Sequence, residues 1–332
     1  MIFLWFTVTS CAIFAAAQDV FPMGHNFVLS LNSAQTILTV HNTKRQDDIP
    51  VWSTKIPFLF VSTGSFSAVQ DSGNFKFTNI GGQETTSQTI DAVHSVCDNN
   101  SSKVCQMFRS VSLSGKLDDM ATYKIIFSTD TTPFNTMQYT ATVTPIVPSV
   151  SPSSITSISS LSPLVEKDNG SGSRISMLWD ILPTEEVFGF GEQYTQVGLK
   201  GTVVPIVTTE QGVGRGKQPV SDFVDLGSKY HNAAGNWHTT YTAIPHYITS
   251  LSRSMFVKDT RYMTFDFASN PTQCNVTIIV GDKAAVSNKE VAPETSNTTE
   301  TLVDNRWSLS GNIYHGNTPK DVVEAHTNIV GR

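Results

Sequence analysis

Four glutamates, Glu185, Glu186, Glu192 and Glu210, fall in one stretch of this chain with Arg215, Lys217 and the amides Gln193 and Gln211. Two facing carboxylates can act as general acid and base, or as nucleophile and acid/base. Adjacent Glu185 and Glu186 would project to opposite sides of an extended strand and make a poor pair. Glu192 and Glu210 can meet only if the chain between them folds back. The eight histidines are scattered, and His231, His238 and His246 read as loop or sheet residues rather than metal ligands.

The segment that must position these groups runs from Val187 to Pro219, VFGFGEQYTQVGLKGTVVPIVTTEQGVGRGKQP, and holds seven glycines, where ordinary usage of about 7% would supply two or three. Glycine takes positive φ and lets chains approach closely, so the segment reads as turns carrying polar side chains to a rim, with a short strand from Val203 to Thr208. Gly189-Phe190-Gly191 does not continue as a dinucleotide loop: Tyr194 stands where a third glycine is needed, and no helix pattern follows. Gly212-Val213-Gly214-Arg215-Gly216-Lys217 likewise lacks the spacing of a phosphate loop.

GFGEQYTQVGLKG followed by VPIVTTEQGVGRGKQP resembles the N-terminal region of glycoside hydrolase family 31, in its α-glucosidase and sulfoquinovosidase-like branch, where a GFGEQ segment precedes an LKG turn and an EQGIGRG-type loop. Weaker similarity extends to Arg174–Gln193, to Tyr241–Val257 and to Thr318–Arg332, the last resembling the short helix that precedes the family's catalytic barrel. The resemblance covers the second half of the chain well and the first half poorly. It implies a galactose-mutarotase-like β-sandwich and hydrolysis of α-O-glycosidic bonds with retention. That mechanism uses two carboxylates about 5–5.5 Å apart. In the family both stand on a (β/α)8 barrel of about 250 residues, whose alternating pattern is not found in this sequence. No catalytic residue is therefore assigned. On the matched motif, Glu192, Gln193, Glu210, Gln211 and Arg215 are the candidate substrate-binding residues, either facing a substrate mouth or bracing the glycine turns through a buried Glu–Arg network. Trp237 and Tyr241 are candidates for a sugar-stacking platform or for packing.

Composition agrees with a secreted β-rich protein. Charged residues are 15% of the chain, below the usual quarter, and the net charge of −6 leaves no basic footprint for nucleic acid. Met1–Gln18 is an apolar run ending in Ala15-Ala16-Ala17, as a cleaved export signal does, although no Lys or Arg precedes it. It is too short for a comfortable bilayer span, and no membrane partner is expected. Cys97 and Cys105 flank a polar loop and are candidates for a local disulfide, while Cys274 is left over. Asn99, Asn100, Asn169, Asn275 and Asn297 are sequons for glycosylation. No metal or cofactor is expected.

Alternating apolar residues predict strands along most of the chain: a hairpin over Asn26–Asn42, then Pro50–Phe60, Ser65–Val69, Asn74–Ile80, Val104–Leu113, Tyr123–Ser128 and Met137–Thr144. After a Ser/Pro-rich tract, Pro148–Pro163, strands resume at Arg174 and continue from Thr240 to Val280. No amphipathic helix is expected in the first 300 residues. Thr318-Pro319-Lys320-Asp321 marks a helix start, with Gly331 as its stop. The expected class is all-β, a large sandwich, divided into a signal peptide (1–17), the sandwich (18–285), and a linker with a short helix (286–332) leading to an absent barrel. The expected role is that of a secreted carbohydrate-binding or supporting domain of a retaining α-glycosidase, meeting an α-glycoside jointly with that barrel. The rival is a free-standing secreted sandwich that binds carbohydrate or protein without catalysis.

Overall fold

The computed structural model describes residues 17–331, apart from 25, 46, 72–73, 81, 99–104, 130–135, 147–165, 172, 228–233 and 281–306. The first half runs β1 (Ala17–Met23), β2 (Phe27–Asn32), β3 (Ile37–Asn42), β4 (Trp52–Lys55), β5 (Leu59–Ser62), β6 (Ser65–Asp71), β7 (Asn74–Ile80), β8 (Ala92–Cys97), β9 (Phe108–Leu117), β10 (Ala121–Ser128) and β11 (Thr136–Pro145). Then come β12 (Glu166–Ser171), β13 (Ser173–Asp180), β14 (Val187–Gly191), β15 (Val203–Ile206), helix α1 (Val220–Gly227), β16 (Ala243–Thr249), β17 (Arg253–Val257), β18 (Met263–Asp266), β19 (Gln273–Val280), β20 (Ser308–His315) and helix α2 (Pro319–Val330).

The fold is all-β. A 12-stranded sheet has the order β14-β16-β17-β20-β11-β10-β9-β1-β2-β3-β4, with β8 beside β9, and packs against a 5-stranded sheet, β15-β18-β19-β13-β5; β12-β6-β7 form a third. Side-chain alternation explains the packing. In β10, Ala121, Tyr123, Ile125 and Phe127 are buried while Thr122 and Lys124 face water. The paired strand β11 buries Tyr139, Ala141 and Val143 in the same way. The two larger sheets share one core. Trp52 lies 5.6 Å from Phe127 in the large sheet. Trp179 of β13 stacks on Tyr247 of β16 at 6.2 Å and donates from Nε1 to its hydroxyl at 2.6 Å. At the seam, Thr54 Oγ1 donates to the Leu178 carbonyl at 2.8 Å and Ser53 Oγ to Asp180 at 2.9 Å.

Three sequence expectations need correction. The sandwich does not stop at 285: β20 is an inner strand of the large sheet, hydrogen-bonded to β11 and β17. Its SLSGNIYH sequence has a weak strand signature, but Gly311 suits the site, because a Cβ there would stand 1.9 Å from the Phe256 carbonyl oxygen. Pro50–Phe60 is two strands, interrupted at Ile56–Pro57, where proline has no N–H for a ladder. The helix α1 lies within the first 300 residues. It is short, and its apolar Val220, Phe223 and Leu226 are exposed rather than packed, which hides the usual core-facing signature. Ala17, the last residue of the expected leader, stands opposite Asn32 at the start of β1. The rest of the 1–17 leader and all of Pro148–Pro163 lie outside the described residues, as do Asn99, Asn100, Asn297 and His231.

The sulfurs of Cys97 and Cys105 are joined, and Cys274 is buried and unpaired. Asn169 stands on β12. Asn275 sits on β19, between β13 and β18 in the interior of a sheet, with its Oδ1 buried and lacking a hydrogen-bond partner. The helix start read from Thr318 is present in full: Thr318 caps the Asp321 amide, and Asp321 returns a bond to the Thr318 amide at 2.9 Å. Among the described residues no helix is long and apolar enough to cross a membrane.

Candidate functional site

The GFGEQ motif is anchored before it is displayed. β14 pairs with β16, and the register shifts between Gly189 and Gly191. That irregularity turns Phe190 inward at φ 64°, where its ring is fully buried. The ring lies 4.8 Å from Phe265 and 5.8 Å from Tyr247. Gly191 is required next to it, since at φ 83° a Cβ would lie 1.9 Å from the Thr242 carbonyl oxygen. The Glu192 amide donates to that same carbonyl at 3.0 Å.

Beyond this anchor the polar groups reach the surface. Glu192 is exposed and accepts from the hydroxyl of Tyr194. Gln193 turns back, donating from Nε2 to the Phe190 carbonyl at 3.1 Å, so it braces the motif. Arg215, at φ 48°, is fixed through its amide to the Ala234 carbonyl at 2.8 Å. Its Nη2 donates to Gln211 Oε1 at 2.7 Å. The guanidinium then lies over the Tyr194 ring, 4.2 Å from the centroid, a favourable cation–π placement. Glu210 accepts from the hydroxyl of Tyr241. Glu192, Gln211 and Arg215 are therefore linked through Tyr194, while Glu210 is tied to Tyr241.

The buried Glu–Arg network weighed for the glycine turns is elsewhere. Glu192 and Glu210 are both exposed, and their partners are phenols. The buried pair is Glu185 with Arg253: Nε donates to Oε1 at 2.6 Å and Nη2 to Oε2, with Glu185 at 0% and Arg253 at 4% exposure. Burial alone would raise the Glu185 carboxyl, but the hydrogen bonds and charge of Arg253 outweigh it and hold the group below its usual range. Glu186 is exposed, so the two adjacent glutamates do diverge.

Sequence reasoning did not assign Tyr194, although it lies inside GFGEQY and an exposed aromatic beside charged groups was the available signal. The two platform candidates separate: Trp237 packs partly against the core, whereas Tyr241 is 52% exposed. Val197, Val213, Phe223 and Leu226 are further exposed apolar side chains of this segment and of α1.

The donor bond to Glu210 raises the Tyr241 phenol above its ordinary value. In a Glu210→Gln variant the phenolate is no longer opposed by a neighbouring negative charge. Tyr241 is expected to titrate at lower pH, as followed by tyrosine 13Cζ shifts, and an unchanged curve would show that the pair does not form in solution.

This surface offers charge-bearing acceptors, a fixed guanidinium and open aromatic faces, the mixture that recognises hydroxyl-rich ligands. It is mounted on a strand-built sandwich. No family model matches the sequence. The chain is 30% identical over 105 residues to the sulfoquinovosidase of Escherichia coli strain K12, an alignment covering 32% of this chain and 15% of that protein. It is 33% identical over 84 residues to the sulfoquinovosidase of Agrobacterium fabrum, covering 25% and 12%. A solved family 31 sulfoquinovosidase from E. rectale, in complex with the aza-sugar inhibitor IFGSQ, has the same fold at a TM-score of 0.53 and 19% identity, covering 95% of this chain and 34% of that one. The chain is thus a partial-length relative of glycoside hydrolase family 31, spanning about a third of the solved relative and less of the two curated ones in these alignments.

Proposed function

We propose that this chain is the β-sandwich part of a secreted retaining α-glycosidase, in which its glycine-rich loops frame the substrate mouth of a catalytic barrel. The observation that carries the reading is the constellation of exposed Glu192 and Tyr194 with half-buried Gln211 and Arg215, beside exposed Glu210 and Tyr241, on the segment that resembles family 31. The carboxylates and guanidinium suit sugar hydroxyls, the tyrosine faces suit sugar C–H groups, and the exposed Phe223 and Leu226 of α1 suit an apolar contact with the barrel. Hydrolysis is assigned to the barrel, because Glu192 and Glu210 are each engaged by a tyrosine hydroxyl. Export is supported by the apolar leader and by the Cys97–Cys105 disulfide, a bond of oxidising compartments. A second reading, a sandwich that binds carbohydrate without catalysis, is favoured by the fact that every polar group of the constellation comes from this chain.

The test is an NMR titration of the purified chain with methyl α-glucoside and methyl α-sulfoquinovoside. Either is expected to shift the Tyr194 and Tyr241 resonances with a Kd of about 1 mM or weaker, the range of a few hydrogen bonds without a closed pocket. An Arg215→Met, Glu210→Gln variant should lose the response. Silence of both tyrosines at saturating concentrations of both glycosides would remove the sugar-contact reading.

A further inference from the structure

Helix α2 packs on β16, β17 and β20 of the large sheet, and two histidines make the centre of that contact. The ring of His326 on α2 lies flat on the ring of His246 on β16, with centroids 3.8 Å apart and planes inclined by 15°. Phe256 of β17 and Tyr314 of β20 wall the pair edge-on, at 4.9 Å and 5.4 Å from His326.

The polar partners of the pair are uncharged side chains. His246 Nε2 meets Ser254 Oγ at 2.6 Å. Asn312 Nδ2 donates to the Tyr314 hydroxyl at 2.9 Å, and that hydroxyl stands 3.1 Å from His326 Nδ1. That hydroxyl can give its own proton to Nδ1 while accepting from the amide, an arrangement in which the His326 ring is neutral. Two neutral imidazoles stack well at this distance, whereas two imidazolium ions in face-to-face contact repel.

The surroundings provide no relief. From β17 the pair meets Ser254 and Phe256, and from β20 Asn312 and Tyr314, all uncharged at neutral pH. On α2, Asp321 is committed to the Thr318 cap, and Glu324 pairs with Lys320 at 3.5 Å on the outer face. On β17, Arg253 is committed to Glu185. The neighbouring histidine of β20, His315, is buried among Arg45, Asp47, Arg253 and Asp321. The polar partners found for the two stacked rings, Ser254 and Tyr314, are hydroxyls and not carboxylates.

We propose that the His246–His326 stack is an acid-released latch: it holds α2 on the sheet while both rings are neutral and lets the helix go when they are protonated. The electrostatics point the same way. Burial, reinforced by the facing His326, lowers His246 to about 3, and burial lowers His326 as well. Folded values below the free-histidine value of about 6.5 mean that the neutral rings favour docking. Docking is therefore complete above that value and is lost as pH falls below it toward the folded values. Each histidine that docks neutral and is released to a free-histidine value makes opening about 25-fold more favourable between pH 7 and pH 5.

Hydrogen exchange of the full chain tests this. After correction for intrinsic rates, α2 amides should lose about 25-fold to several hundredfold of their protection between pH 7 and pH 5, while β10 and β11 keep theirs. A His246→Phe, His326→Phe variant retains two stacked rings and should hold α2 equally at both pH values. Equal α2 protection at pH 7 and pH 5 in the unmodified chain overturns the latch, and so does an undiminished pH response in the double variant. If that variant does not fold, the ring shifts of His246 and His326 in the unmodified chain decide: titration of both below 6.5 supports the latch, and titration at or above it refutes it.

Discussion

Replacing Arg253 by methionine is expected to destabilise the sandwich by about 3–5 kcal/mol, the range for removing one partner of a buried ion pair. The substitution leaves the Glu185 carboxylate fully buried without its cation. It also removes donors to two backbone carbonyls, Pro50 at 2.9 Å and Asp180 at 3.3 Å. Arg253 thus ties β17 to the chain entering β4 and to the end of β13, so the loss falls on the seam between sheets rather than on one loop. Urea denaturation at pH 7 measures it as a lower midpoint at unchanged slope. Two checks separate this account from general disruption. A Glu185→Leu, Arg253→Met double variant should recover much of the loss, because no unpaired charge remains. The deficit should also shrink in acid: the folded-state carboxyl of Glu185 lies below its usual range, so the pair's contribution is present above that range and disappears as pH falls through the folded value. A deficit below 1 kcal/mol at pH 7 would mean that water reaches the pair.

Phe190→Ala should cost about as much, roughly 3–5 kcal/mol for a fully buried aromatic, with a second effect that a core substitution elsewhere would not have. The ring is the point at which the glycine-rich motif enters the core, between Tyr247, Phe265 and Phe267. Its carbonyl also accepts from Gln193. Without the ring, the irregularity between Gly189 and Gly191 has nothing to hold it, and the Glu192, Tyr194 and Arg215 cluster loses its fixed base. Calorimetric unfolding should show the stability loss, and the Tyr194 resonances should broaden or move toward random-coil values. By comparison, Tyr139→Phe deletes a buried hydroxyl that has no hydrogen-bond partner and should leave Tyr194 unmoved. If Phe190→Ala lowers stability but the Tyr194 environment stays intact, the loop is held by its own hydrogen bonds and not by the core.

The all-β class was legible because alternation is local. Tyr139, Ala141 and Val143 against Thr140, Thr142 and Thr144 predict one buried face without knowledge of any partner strand. The α2 start was legible for the same reason, since its cap and capping-box partner are three residues apart. β20 was not, because Ser308, Ser310, Gly311 and Asn312 are poor strand formers whose conformation is imposed by neighbours on both sides. The site was half legible. Gln211 and Arg215 are four residues apart and meet directly, and the glycines around Phe190 advertised an unusual backbone. The partner of Glu185 could not be read, since Arg253 is 68 positions away and only the pairing of β14, β16 and β17 brings it near. The same holds for His246, dismissed as a scattered sheet histidine, and for His326, which the helix carries back onto it.

The position of β20 also dictates an order of events during synthesis. It lies between β11, which ends at Pro145, and β17, which ends at Val257, and among the described residues it is the strand that joins their two halves of the large sheet. At cellular elongation rates, β11 is complete about ten to thirty seconds before β20 is made. Throughout that wait β11 presents an unpaired backbone edge, joined by that of β17 once Val257 is made, and such edges are the surfaces most prone to wrong pairing with other chains. Premature termination before residue 308 would therefore release two sheet fragments with open edges, a natural substrate for chaperones and proteases rather than a smaller working domain.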